Sequence, residues 1–172
     1  MLYAHNGVAP QVDPTAFIHS SAQVIGDVHI GAQSSLWFNV VARGDVYYIR
    51  IGARTNIQDN STVHVTGGHH PTLIGDDVTV GHAVVLHGCT IGHRCLIGIG
   101  AIILDGCEIG DECMIGAGAL LTPRTVIPSG HLALGSPAKP VRVLTEGERD
   151  QLRQSAQSYV ANAARYRAQG IV

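Results

Sequence analysis

The sequence predicts an all-β domain built as a parallel β-helix of hexapeptide repeats, followed by a C-terminal α-helix. Two observations support this fold. Val, Ile or Leu recurs almost always every six residues, a period that fits neither a helix nor an alternating strand but is the signature of a hexapeptide β-helix. A small residue precedes most of these positions by two. The aliphatic column is Val12, Ile18, Val24, Ile30, Leu36, Ile51, Ile57, Val63, Ile74, Val80, Val85, Ile91, Ile97, Ile103, Ile109, Ile115, Leu121 and Ile127.

Each hexad is expected to form one short strand and a corner, so that three hexads make a triangular coil of about 18 residues. The aliphatic side chains should point into the prism and stack on their equivalents one coil later, at a strand spacing of about 4.8 Å. The small residues, such as Ala22, Ser61 and Ala101, should fill the corners. Glycine follows many aliphatic positions and is expected to supply positive φ at tight corners.

All four cysteines fall in the column of small residues. Cys89, Cys95, Cys107 and Cys113 are separated by six or twelve residues, whereas structural zinc sites use a C-x₂₋₄-C spacing. We therefore interpret them as small buried thiols that fill corners of the prism.

Three irregularities interrupt the repeat and mark candidate functional segments, because departures from a stacking pattern concentrate at functional sites. The spacing slips by three residues within 37–50. A longer excursion follows Val63 and reads His64-Val-Thr-Gly-Gly-His-His-Pro71, which indicates an outward loop. The third irregularity is predicted between Val80 and Val85, where one hexad is a residue short.

The C-terminal part is predicted to be a helix outside the prism. Residues 128–140 are rich in proline and glycine and are expected to leave the prism along an extended path. Thr145 and Glu148 then form a capping box. A stripe at helical spacing indicates packing on the outside of a β-helix; it comprises Leu152, Ala156, Tyr159, Val160, Ala163 and Tyr166. We divide the chain into a β-helix domain, 1–140, and a C-terminal helix, 141–172.

Composition excludes several functional classes. The length of 172 residues fits one domain. The formal charge is −2 and the sole lysine is Lys139, which argues against nucleic acid or an anionic membrane as a partner. No apolar run approaches the ~20 residues that span a bilayer, and residues 1–10 lack the features of a signal peptide. We therefore expect a cytoplasmic protein.

Three of the ten histidines lie at the irregularities. His64 and His82 are 18 residues apart and are expected on one face, one coil apart. His82 and His87 each follow a predicted column residue by two positions, so both should point outward. Three outward imidazoles suit a metal that takes neutral nitrogen donors. A polar surface face without a metal is the alternative that this spacing leaves open.

Motifs around these histidines resemble a known family. Arg43-Gly44-Asp45, Asn56-Ile-Gln58-Asp59-Asn60, His64 and His82-Ala-Val-Val-Leu-His87-Gly88 together look like the γ-class carbonic anhydrase family, over nearly the whole chain. The resemblance implies a homotrimer of left-handed β-helices with the metal between subunits. One chain would supply the ligand matching His82, and its neighbour those matching His64 and His87. The metal would be zinc, with iron or cobalt as alternatives.

The resemblance also implies roles in the hydration of CO₂ to bicarbonate by a metal-bound hydroxide. Gln58 would orient the hydroxide or the substrate, and Asn56 would help to hold the CO₂ pocket. Arg43 would pair with Asp59 or Asp45 across the interface. Tyr159 of the predicted C-terminal helix resembles a helix residue of this family that leans into the pocket.

The chain departs from the family pattern in the loop after the first histidine. Active members carry a glutamate there as proton shuttle, whereas residues 65–71 contain no carboxylate. His69 or His70 could replace it, because imidazole titrates near neutrality. We expect weak turnover if neither does, since each cycle must export a proton.

Two other functions stay open from the sequence. One is a metal-dependent acyl-CoA thioesterase or a hexapeptide acyltransferase, acting on a small acyl substrate at the same subunit boundary. The other is a non-catalytic trimeric scaffold in which the metal only stabilises the assembly. The segment Gly135-Ser-Pro-Ala-Lys139 does not distinguish them, because hexapeptide acyltransferases carry a similar one.

Overall fold

The computed structural model describes residues 1–171, which form a left-handed parallel β-helix and one α-helix. Val172, the last residue of the predicted C-terminal segment, lies outside the described residues. The helix α1 is Glu146–Ala168. The strands are Leu2–Tyr3 (β1), Gln11–Val12 (β2), Phe17–Ile18 (β3), Gln23–Ile30 (β4), Ser35–Leu36 (β5), Val41–Ile51 (β6), Asn56–Ile57 (β7), Thr62–His64 (β8), Thr72–Ile74 (β9), Thr79–Val80 (β10), Val85–His87 (β11), Thr90–Ile91 (β12), Leu96–Ile97 (β13), Ile102–Ile103 (β14), Glu108–Ile109 (β15), Met114–Ile115 (β16), Leu120–Leu121 (β17), Val126–Ile127 (β18), His131–Gly135 (β19) and Ala138–Val143 (β20).

The predicted aliphatic column forms the core of the prism. Equivalent residues of successive coils pair in register and stack, and one such ladder is fully buried along its length; it runs Val24, Ala42, Val63, Leu86, Ile103 and Leu121. Most of the predicted small residues line the same core. They include the four cysteines, all of which are free and buried. Burial raises the pKa of the Cys89 thiol, so this residue is a protonated, packed group.

The prediction that Val85 points inward is wrong. Leu86 is fully buried and pairs in register with Val63, whereas Val85 is only half-buried. The step from Val80 to Leu86 is therefore a complete hexad, and the short one lies between Leu86 and Ile91. Two adjacent aliphatic residues satisfy the same pattern, so the period alone cannot choose between them.

The glycines that follow the aliphatic positions do not supply the predicted positive φ. Other corner residues adopt the left-handed region instead, such as Asn60 at φ 62° and Arg94 at φ 54°. A Cβ placed on Gly98 would lie 2.5 Å from the backbone nitrogen of Ala117 in the next coil. Glycine is needed here because the backbones of stacked coils approach too closely for any side chain.

Two predicted irregularities lengthen the coils on one side of the prism. Residues 45–48 form a bulge in β6, between the points where this strand pairs with β4. Residues 65–71 form an outward loop that closes on itself, because Thr66 and His70 pair through their backbones. With this loop included, residues that face each other in consecutive coils are 23 apart in sequence, as His64 and His87 are.

The expectation that the chain leaves the prism after Ile127 is wrong. Strand β19 pairs in parallel with β16, and its residue Ala133 is fully buried in the core. Strand β20 then returns antiparallel to β19. The last coil of the β-helix therefore ends in a hairpin.

Helix α1 packs on the outside of its own β-helix, over β3, β5, β7 and β10. It begins with the predicted capping box between Thr145 and Glu148. Its apolar stripe faces the strands, and Trp37 packs edge-on against Tyr159 and Tyr166, with ring centroids 5.6 Å and 5.0 Å away. Within residues 1–171, no helix has the length and apolar run that crossing a bilayer requires.

Candidate metal centre

The structure brings His64 and His87 together at the ends of neighbouring strands. Strands β8 and β11 pair in parallel with the two histidines opposite each other. Each histidine follows an inward residue, so both side chains point out of the prism. Nδ1 of His64 lies 3.1 Å from Nε2 of His87, and the two rings are inclined at 61°.

The expectation that His64 and His82 share a face one coil apart is wrong. The coil that contains the 65–71 loop brings His64 to His87, because that loop lengthens the repeat. His82 lies in the corner before β11, with Nδ1 2.9 Å from Oδ2 of Asp59. His82 and His87 therefore stand at opposite ends of β11. Among residues 1–171, no three His, Cys, Asp or Glu side chains of one chain converge to hold a metal.

Each of the three imidazoles contacts a carboxylate through one ring nitrogen. Oδ1 of Asp45 lies 3.1 Å from Nε2 of His64, and Oδ1 of Asp105 lies 2.7 Å from Nδ1 of His87. The His82 contact with its own aspartate repeats the arrangement. Histidines that bind metals usually donate a hydrogen bond to such a carboxylate from the N–H of their second ring nitrogen. Sequence reasoning missed Asp105, although it lies 18 residues after His87, one regular coil later.

The carboxylates beside His64 and His87 are ionised at neutral pH. Desolvation acts to raise the pKa of Asp45, but hydrogen bonds from Arg43 and the histidine outweigh it and lower this pKa. At Asp105, desolvation acts to raise the pKa, but hydrogen bonds from His87 and Thr66 outweigh it and lower this pKa. An ionised carboxylate only accepts hydrogen bonds. The imidazole nitrogens that face Asp45 and Asp105 must therefore carry the protons.

The remaining nitrogens of His64 and His87 consequently face each other with two lone pairs when both rings are neutral. At 3.1 Å these lone pairs repel unless a cation lies between them. Zinc bound to imidazole at ~2.0–2.1 Å in tetrahedral geometry separates two ligand nitrogens by about 3.3 Å. The donor set therefore fits a divalent metal that takes imidazole ligands.

Arg43 forms an ion pair with Asp45 of its own chain. This contact links the arginine to the carboxylate that holds His64. Asp45 is one of the two partners predicted for Arg43, and the two residues pair within one chain. Pairing with Asp59 across a subunit boundary stays a prediction.

The other predicted polar residues lie on the face that α1 partly covers. Asn56 and Gln58 are buried, and Nε2 of Gln58 donates to Oδ1 of Asn56 at 3.2 Å. Gln58 and Tyr159 line a groove of about 480 Å³ whose other walls are mostly apolar. Burial raises the pKa of Tyr159, and the charge of Asp59 adds to this effect. Because Asp59 directly follows Gln58, the groove lies beside the corner that carries His82.

The loop with the two predicted proton shuttles is fixed next to the histidine pair. Thr66 donates to Oδ2 of Asp105 at 2.9 Å. His69 is exposed and His70 is half-buried, and the charge of His70 adds a minor part to the lowering of the pKa of Asp105, after the hydrogen bonds from His87 and Thr66. Their role in proton transfer stays a prediction.

Comparisons with known proteins find relatives over most of the chain. The family model for bacterial transferase hexapeptide repeats (six repeats) matches residues 88–123. Gamma carbonic anhydrase 1, mitochondrial, of Arabidopsis thaliana is 49% identical over 156 residues, covering 88% of this chain and 57% of that protein. A carbonic anhydrase of Geobacillus kaustophilus is 46% identical, covering 98% of this chain and 92% of that protein. A hexapeptide transferase family protein from Anaplasma phagocytophilum has a TM-score of 0.93 and 44% identity, covering 96% of this chain and 98% of that one.

Proposed function

Since the chain belongs to the γ-carbonic anhydrase family of hexapeptide-repeat proteins, we propose that it hydrates CO₂ reversibly at a metal site shared between subunits. The metal is zinc, with iron or cobalt as alternatives, and the assembly is a homotrimer. One chain contributes His64 and His87, and its neighbour contributes His82.

The observation that carries this proposal is the pair of facing nitrogens in His64 and His87. Each ring is oriented by an ionised carboxylate so that its second nitrogen offers a lone pair. His82 also lies against a carboxylate, with its Nδ1 2.9 Å from Oδ2 of Asp59, which leaves Nε2 available for a metal. His82 stands at the far end of β11 from His87, so its free nitrogen completes a three-imidazole set only next to another chain.

When bound, such a cation supplies a hydroxide nucleophile near neutral pH, because it lowers the pKa of a water ligand. The chain's own groups orient and protect the reaction. Gln58 orients the reactants at the end of the groove, beside the apolar surface that CO₂ favours, and Asn56 helps to hold this pocket. Tyr159 is a neutral phenol there and shields this end from bulk water. His69 or His70 takes up the proton that each turnover releases.

A second candidate is the hydrolysis or transfer of a small acyl group. The groove of about 480 Å³ beside Gln58 is much larger than CO₂ requires, and pockets of about 300–1,000 Å³ typically hold drug-sized ligands. Leu96, Ile99 and Met114 give it the apolar lining that suits an acyl chain. Thioester hydrolysis would use the same activated water, whereas acyl transfer needs no metal.

The proposal is tested by stopped-flow CO₂ hydration on protein purified without oxygen and reconstituted with zinc, then iron. Metal content is counted on the same samples. We expect metal-dependent turnover that is lost with the metal in His82→Ala and kept in His29→Ala, which removes a half-buried histidine elsewhere. Unchanged metal content in His82→Ala would refute the assignment of His82 as a metal ligand.

Three further outcomes separate the alternatives. A full metal site without hydration would turn the search to acyl thioesters. A trimer that dissociates on chelation and shows no turnover on either substrate would indicate a scaffold. A monomer by light scattering with full metal occupancy would refute the shared site. The cytoplasmic location stays a prediction, which cell fractionation would test.

A further inference from the structure

A chain of four polar side chains runs from Gln58 to α1 along the groove, which Gln58, Thr79 and Ser155 all line. Gln58 donates to Asn56 at 3.2 Å, Nδ2 of Asn56 lies 3.0 Å from Oγ1 of Thr79, and Oγ1 of Thr79 lies 3.0 Å from Oγ of Ser155. Asn56, Gln58 and Thr79 are buried. Asn56 and Thr79 pair in register on β7 and β10 and face outward, under the helix that carries Ser155.

The backbone fixes the direction of this chain. Nδ2 of Asn56 also lies 3.4 Å from the carbonyl oxygen of Val78, which can only accept a hydrogen bond. The amide nitrogen of Asn56 must therefore face β10, and its oxygen must face Gln58. Thr79 accepts from Asn56, so its own hydroxyl hydrogen is left for Ser155. Thr79 must donate to Ser155, because a buried hydroxyl hydrogen without a partner would be costly. Each side chain therefore donates to the next, in the order Gln58, Asn56, Thr79 and Ser155.

The consequence appears at the Gln58 end of the chain. Because Nε2 of Gln58 is committed to Asn56, the amide presents Oε1 to the groove, and no group among residues 1–171 donates to that oxygen. We propose that Thr79 and Ser155 are positioning residues that hold the Gln58 amide with its oxygen toward the groove. Gln58 then accepts a hydrogen bond from an O–H group of the reactants.

Without Thr79 and Ser155, only the longer contact of Asn56 with the carbonyl oxygen of Val78, at 3.4 Å, is left to set the polarity of the two amides. Rotation of the Gln58 amide by half a turn would present an NH₂ group where an acceptor is needed. Helix α1 therefore covers the strands and, through the hydroxyl of Ser155, also helps to position Gln58. This inference rests on the proposed function only for the identity of the reactant.

The test compares four variants of the full chain. Thr79→Val keeps the shape of the side chain and removes the hydroxyl, and Thr79→Ser restores the hydroxyl. Ser155→Ala removes the end of the chain. Ser158→Ala is the matched control, because Ser158 is exposed on the same helix. Circular dichroism confirms folding of each variant.

Two readouts are measured. The first is hydrogen exchange of the Asn56 and Gln58 side-chain amides by NMR on ¹⁵N-labelled protein, which needs no activity. The second is kcat and KM for CO₂ hydration of the metal-loaded protein. Losing one hydrogen bond of ordinary strength corresponds to roughly a tenfold effect. For Thr79→Val and for Ser155→Ala, we expect side-chain amide exchange to rise and kcat to fall by about tenfold each. Thr79→Ser should restore both quantities, and Ser158→Ala should leave both unchanged.

Unchanged amide exchange in Thr79→Val would overturn the inference and leave the proposed function intact. An equal change in Ser158→Ala would also overturn it, because the effect would then be general to the helix. Faster exchange with unchanged kcat would overturn the catalytic consequence. If wild-type protein hydrates no CO₂ but the exchange pattern follows the expectation, the proposed function fails and the positioning of Gln58 stands.

Discussion

Replacement of Asp105 by Asn tests the orientation of His87. The substitution keeps the size of the side chain and an oxygen for the hydroxyl of Thr66, which now lies 2.9 Å from Oδ2. It places an NH₂ group against Nδ1 of His87, where a carboxylate oxygen now accepts at 2.7 Å. Nδ1 must then become an acceptor, which moves the ring proton to Nε2. The nitrogen that faces His64 thereby loses its lone pair.

The expected magnitude follows from this change of tautomer. Loss of an outer-shell partner of a histidine ligand typically weakens metal binding by about 10–100-fold, or about 1.4–2.7 kcal/mol. The Kd for zinc is measured by competition with a chromogenic chelator at fixed pH. Asp111→Asn is the matched control, because Asp111 accepts from the backbone of His93 at 2.8 Å and touches none of the three histidines. An unchanged Kd in Asp105→Asn, or an equal loss in the control, would refute the reasoning.

Three other measurements test the core, the helix and the thiols. Leu86→Ala should destabilise the protein by about 2–5 kcal/mol in denaturant unfolding, and Val85→Ala by no more than ~1 kcal/mol; equal losses would contradict the observed register. A hydrogen bond from Arg142, aided by one from the backbone N–H of Thr145, lowers the pKa of Glu148 from 4.5 to about 2, so its stabilisation is present above pH 4.5 and is lost as the pH falls toward 2. Trp37 fluorescence should report this loss, and Glu148→Gln should flatten the titration; an identical curve in the variant would remove Glu148 as the cause. The four buried cysteines should react with Ellman's reagent only after denaturation, and rapid labelling of the native protein would contradict their burial.

The fold could be predicted from sequence because the six-residue period is imposed by geometry. Every coil must return to the same three sides, so the inward positions repeat regardless of what the outer surface does. The period fails where two aliphatic residues are adjacent, as at Val85 and Leu86, because either satisfies it. The period also gives the wrong coil for two residues when an inserted loop lies between them in sequence. The 18-residue spacing of His64 and His82 looked like one coil, but the actual repeat there is set by hydrogen bonds between β8 and β11.

The candidate site was predictable only in part. The three histidines and Gln58 stood out through resemblance and chemical type. Asp105 carried a usable signal, its distance of one regular coil from His87. Thr79 and Ser155 carried none, because their contact joins a strand to a helix 76 residues away. Which polar residues become buried depends on where the helix lies, and local pattern does not determine that.

The hairpin at the end of the β-helix has a consequence for growth of the protein into filaments. A parallel β-helix adds coils by offering its last backbone edge to the next coil, and an identical molecule could in principle continue it end to end. Here β17 and β18 end their sheet with two residues each, and β20 reverses the chain direction on the third side. Pro140 within β20 also lacks the N–H that an added strand would need. Head-to-tail polymerisation is thus blocked at the terminus, and coil number is fixed by the chain itself.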